Sequence, residues 1–93
     1  MIESQKYLNG RFYKTSYLNG QLALYLHDDI GVPLVELSVE NDLIELAPDE
    51  IILKDHAENV EIVEELYESK MISLVDRYAL IGVHLHPICK VLL

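Results

Sequence analysis

The stretch that decides the fold is FYKTSYLNGQLALYLHDDIGVPLVELSVE, residues 12–40. Two turn signals divide it. Asn19-Gly20 separates residues 12–18 from 21–27, and Asp28-Asp29-Ile30-Gly31 separates that second run from residues 32–40. Asn-Gly suits a two-residue type I′ turn, because both central positions need positive φ. With Leu18 opposite Gln21, Tyr17 meets Leu22, Thr15 meets Leu24 and Tyr13 meets Leu26. With His27 opposite Val32, Leu26 meets Pro33, Leu24 meets Val35 and Leu22 meets Leu37. Both turns put Leu22, Leu24 and Leu26 on one buried face, which a slip of one residue would send to water. The reading is a three-stranded antiparallel meander.

Downstream, Asn41-Asp42 and Pro48-Asp49 punctuate a loop carrying Leu43, Ile44 and Leu46. Ile51-Ile52-Leu53-Lys54 is a short β-branched run that reads as a fourth strand. An amphipathic helix follows. Asp55 and Glu58 have capping-box spacing, with Asn59 as a competing N-cap. Ile62, Val63 and Leu66 share one helix face, with Tyr67 at its margin, and Ser69-Lys70 ends the helix. Glu58, Glu61, Glu64, Glu65 and Glu68 are placed on the opposite face. Residues 73–79 and 83–93 read as two more strands around Gly82. Pro87 cannot donate to a ladder, so the last strand is expected at a sheet edge or to stop pairing there. The fold class is α+β: an antiparallel sheet in the order β-β-β-β-α-β-β, with one helix against one face. Residues 1–93 are expected to form one domain.

The chain is 51% hydrophobic, enough for a core without disulfide or metal, and Cys89 is its only cysteine. Its first residues, Met1-Ile2-Glu3-Ser4-Gln5-Lys6, lack the apolar region of a secretory signal, and no apolar run is long enough to span a bilayer. A cytoplasmic protein without membrane contact is expected. The net charge of −9 is concentrated in the middle. Residues 28–68 hold fourteen acidic residues against one base, Lys54, a balance of −13. Such a surface repels phosphate backbones, so direct nucleic-acid binding is disfavoured.

The string resembles a family of small uncharacterised proteins encoded by phages, plasmids and conjugative elements, mostly of Gram-positive and gut bacteria. The resemblance rests on Asn19-Gly20, Leu22-Ala23-Leu24, Asp28 with Gly31 and Pro33, and Leu37-Ser38-Val39. It continues through Leu53-Lys54, Glu58-Asn59, Leu66, Met71-Ile72, Arg77 and Gly82, covering residues 17–91. His56 and Lys70 depart from it, standing where Trp and Gly are frequent. The resemblance implies a mobile-element setting, in which small acidic proteins sometimes inhibit host defence enzymes.

Few residues suggest chemistry. His84-Leu85-His86 places two imidazoles on one strand face, where they could share a cation. A site needs further ligands, for which His27, Asp28 and His56 are the candidates. The plainer reading is two half-exposed histidines, with no metal and no cofactor. Strand alternation puts Cys89 on the face away from both, so it reads as a small buried hydrophobe rather than a nucleophile. Asp28 and Asp29 read as turn formers. No catalytic constellation stands out, and an enzyme is not expected.

The expected function is therefore a non-catalytic acidic protein-interaction module of a mobile element. It would bind a protein partner, or itself through an edge strand. The alternative is an acidic nucleic-acid mimic of the anti-CRISPR or anti-restriction type. In either case Glu58, Glu61, Glu64, Glu65 and Glu68 are the candidate partner-binding residues, against the plain alternative of a solvated face.

Overall fold

Strands β1 (Arg11–Ser16) and β2 (Leu22–His27) form an antiparallel hairpin in which Lys14 faces Leu24 and Phe12 faces Leu26. The computed structural model describes residues 11–28, 30–56 and 59–92. This pairing is one residue away from the one a two-residue turn demands. Tyr17 N–H donates to the Gln21 carbonyl at 2.8 Å and Gly20 N–H to the Tyr17 carbonyl at 2.9 Å. The loop is therefore three residues, 18–20, and within it Gly20 alone has positive φ, at 90°. A type I turn closed by a left-handed glycine is the three-residue solution to the same Asn-Gly signal. The Asn19 side chain favours it, accepting from Gln21 N–H at 2.9 Å and donating to Asp42 at 2.8 Å. One consequence is that β1 turns over. Phe12 packs on the core, while Tyr13 stacks on His27 with ring centroids 4.8 Å apart. β2 keeps its expected face, with Leu24 and Leu26 buried.

The second turn is built the same way. Asp28 N–H donates to the Val32 carbonyl, and the Asp28 carboxylate accepts from the N–H groups of Ile30 and Val32 at 3.0 and 2.8 Å. Strand β3 (Pro33–Glu36) then pairs with β2 so that Leu26 faces Val35, two residues from the expected register, with a bulge between Leu26 and His27. A shift of two preserves the faces.

The third run does not continue as one strand. Leu37 N–H donates to the Leu24 carbonyl, whereas its carbonyl accepts from Lys54 N–H, both at 2.9 Å. The chain changes sheets at this residue. Strand β4 (Ser38–Val39) pairs with β5 (Glu50–Leu53) in a second sheet. That sheet also holds β6 (Ile72–Ile81) and β7 (His84–Val91). The expected single sheet is thus two antiparallel sheets, β1-β2-β3 and β4-β5-β7-β6. The fold class is α+β, as expected, with one helix among the described residues.

Of the two expectations for the last strand, the edge position is corrected, whereas the stop in pairing at Pro87 holds on the β5 side. β7 is interior, between β5 and β6. Pro87 is tolerated because its ladder with β5 ends at the Ile52–Ile88 pair. On the other side Pro87 faces Tyr78, next to an irregularity in which residues 75–77 oppose Ile88. Asp76 has φ 66° there, and Arg77 is held by Glu50 at 3.1 Å and the Glu45 carbonyl at 2.7 Å. Gly82, φ 64°, turns the chain between Ile81 and His84.

Helix α1 (Val60–Glu68) follows Asn59, which holds the N-cap position without a side-chain capping hydrogen bond, and Glu58 lies outside the described residues. Ile62, Val63 and Leu66 are buried, and Tyr67 packs beside them. They meet Leu24 and Leu26 from the first sheet and Ile51, Leu53, Cys89 and Val91 from the second in one shared core. The helix ends in a Schellman motif. Met71 N–H donates to Leu66 O at 3.0 Å, Lys70 N–H to Tyr67 O at 3.1 Å, and Lys70 is left-handed with φ 61°. Glu61, Glu64 and Glu68 are exposed, but Glu65 is only 6% exposed, which corrects its placement on the solvated face. It follows Ile62 by three residues and so lies at the margin of the apolar stripe. On the far face of the second sheet, Ile52, Ala79 and Ile88 pack under Val39, Ile44, Leu46, Val75 and Ile81. No helix among the described residues is long and apolar enough to cross a membrane.

Candidate metal centre

The β5–β7 register positions the site. Ile51 faces Cys89 and Ile52 faces Ile88. Carried on past these pairs, the same register sets His56 against His84. The ladder cannot continue, because Pro87 has no N–H to give. Alternation along β7 puts His84, His86 and Ile88 on one face, and Leu85, Cys89 and Val91 on the other. Asp55-His56, leaving the end of β5, thus meets the His84-Leu85-His86 face of β7.

Four side chains converge. One ligand atom from each of Asp55, His56, His84 and His86 lies within 4.8 Å of those of all the others. His84 Nε2 is 3.4 Å from Asp55 Oδ1. Ring centroids are 4.2 Å apart for His56 and His84, 4.6 Å for His84 and His86, and 5.2 Å for His56 and His86. His86 is buried, with Nδ1 3.1 Å from the Leu53 carbonyl. A carbonyl only accepts, so Nδ1 carries the proton and Nε2 keeps its lone pair. Burial pushes the His86 pKa below its ordinary value, with His84 and His56 adding to the effect and the Leu53 carbonyl opposing it. That shift favours the neutral imidazole, the form that ligates. His56 Nδ1 is shut off from solvent and has no hydrogen-bond partner among the described residues.

This corrects the expectation of two isolated, half-exposed histidines. His86 is buried, and His56 does join the pair. His27 and Asp28 do not: the first stacks on Tyr13, and the second holds the turn after β2. Asp55 is not among the ligands that the sequence suggests; its spacing to Glu58 points to a helix cap. Its proximity to His84 depends on a strand pairing across 29 residues of sequence, for which the string carries no local signal.

The other candidate residues lie elsewhere. Cys89 sits in the shared core with Sγ 3.6 Å from the Tyr67 hydroxyl, and burial pushes its thiol pKa up, consistent with an unreactive core residue. Exposed apolar side chains gather on the β6–β7 hairpin: Leu74, Tyr78, Leu80 and Leu85 are each more than half exposed, and Val83 stands at the tip. Across the ladder Leu80 faces Leu85, Tyr78 faces Pro87 and Leu74 faces Cys89, so these four exposed side chains share one sheet face. No protein-family model, curated protein or solved structure matches the chain.

Proposed function

We propose that this protein is a non-catalytic interaction module that binds another protein through the β6–β7 hairpin. The observation that carries the reading is the row of Leu74, Tyr78, Leu80 and Leu85, 54–66% exposed, beside a ten-residue edge strand. An edge strand offers main-chain donors and acceptors to an incoming strand, and a flanking apolar row supplies side-chain contacts. The partner is a different protein contributing an extended apolar segment. A second copy would bring one charge of −9 against another, which opposes self-association. A cytoplasmic, mobile-element setting belongs to this proposal and rests on the resemblance described above.

The second reading is an acidic mimic that occupies the nucleic-acid channel of a host defence enzyme. Its support is the −13 balance of residues 28–68 and the exposed Glu61, Glu64 and Glu68. The two readings separate in one co-purification experiment with the full chain. Leu80→Asp is expected to abolish capture of the partner, and Glu64→Gln with Glu68→Gln to leave it intact. The reverse pattern, with capture that weakens steeply as salt rises, would favour the mimic. Concentration-dependent dimers in sedimentation, lost in Leu80→Asp, would make the partner a second copy.

A further inference from the structure

We propose that Asp55, His56, His84 and His86 form a four-ligand site for a tetrahedral divalent transition-metal ion, with zinc the ion that fits best. Tetrahedral zinc holds nitrogen and oxygen ligands near 2.0–2.2 Å, which sets neighbouring ligand atoms about 3.3–3.5 Å apart. His84 Nε2 and Asp55 Oδ1 already stand at 3.4 Å. The remaining separations, all within 4.8 Å, close by small side-chain rotations. His86 ligates through Nε2, since its Nδ1 proton is held by the Leu53 carbonyl. That carbonyl is the outer partner a ligating imidazole uses to set its tautomer and direction. His56 supplies the independent sign of a missing partner, a ring nitrogen closed to solvent with no hydrogen bond among the described residues. Three imidazoles and a carboxylate form a borderline donor set suited to zinc rather than to calcium or magnesium, which prefer all-oxygen shells.

Four protein ligands leave no open position, so the role is structural. The ion joins the segment between β5 and α1 to β7, where Pro87 withholds ladder hydrogen bonds. It takes over the link that the main chain cannot make. Binding at this site is independent of the partner-binding reading, which concerns the apolar row on the opposite face of β6 and β7.

The test is titration of tag-free, chelator-treated full-length protein with zinc(II) by calorimetry, and with cobalt(II) by visible absorption. One ion per chain is expected, with the intense cobalt bands of a tetrahedral site and a raised Tm. Asp55→Asn and His84→Gln, both on the more exposed side of the cluster, should each weaken zinc binding at least about tenfold. Circular dichroism checks that each variant is folded. Glu64→Gln should bind as the parent does. Absence of both heat and cobalt absorption would overturn the proposal, as would binding unchanged in the two ligand variants.

Discussion

Asn59 Nδ2 donates to the carbonyl oxygen of Glu36 at 3.0 Å, tying the start of α1 to the end of β3. The same amide donates to the Lys54 carbonyl at 2.9 Å. Asn59 is only 1% exposed, so one side chain joins the helix, the first sheet and the exit of β5 in a buried setting. Asn59→Ala leaves two part-buried carbonyls without this donor and should cost about 1–3 kcal/mol. Asn59→Asp should cost at least as much, because a carboxylate faces two acceptors. Urea unfolding of the three proteins measures both, and a loss no larger than that of an exposed surface change would contradict this role.

Lys70 occupies the left-handed position after the helix, where glycine carries no Cβ penalty. Lys70→Gly should stabilise the protein by about 1 kcal/mol, reduced by glycine's larger unfolded-state entropy. Lys70→Ala keeps the Cβ and should gain nothing. Thermal unfolding distinguishes them, and equal Tm values for the two variants would show that the strain is absent.

Tyr17 sits in a relay across the sheet junction. Leu24 N–H donates to Ser38 Oγ at 2.9 Å, and the Tyr17 hydroxyl donates to Glu36 Oε2 at 2.6 Å. The Ser38 hydroxyl therefore donates to Tyr17 at 2.8 Å, the remaining contact of the chain. Burial, followed by the Glu36 carboxylate, raises the Tyr17 pKa well above its ordinary value. The protonated phenol is favoured in the fold, so this contribution is complete below about pH 10 and is lost as pH rises toward the elevated value. Tyr67 acts in the same direction through burial and Cys89. Stability measured against pH should therefore fall on the alkaline side, and Tyr17→Phe should make that fall shallower. An identical alkaline slope in the variant would refute the linkage.

Leu24 is fully buried between the two sheets and the helix. Leu24→Ala should cost about 2–5 kcal/mol, a large share of the stability of a small domain. Leu43, 92% exposed, is the matched control, and Leu43→Ala should change stability by less than about 0.5 kcal/mol. A loss under 1 kcal/mol at Leu24 would mean that its side chain is not part of the core.

The residue string by itself determined the local elements. The runs around Leu24, Ile52, Tyr78 and Ile88 are strands, and the Ile62, Val63 and Leu66 stripe is the buried face of α1. Periodicity and turn chemistry act over a few residues, so they can be read from a few residues. Register needed more. Asn19-Gly20 is compatible with loops of two or three residues, and contacts from Asn19 to Glu40 and Asp42, more than twenty positions away, accompany the longer one.

Only the tertiary structure decided which strands are neighbours. Leu37 reads as the middle of a strand, yet its N–H and carbonyl bond to different sheets, because both sheets must cover one core. Pro87 reads as an edge residue or the end of a ladder; β7 is interior, and the end of the β5 ladder at Ile52–Ile88 removes the need for its N–H. Glu65 reads as part of an acidic face, yet it is buried at the margin of the helix stripe. The cluster of Asp55, His56, His84 and His86 follows the same rule. Each pair is visible in the string, but their meeting depends on β5 pairing with β7, an energy shared across the whole core rather than encoded at either end.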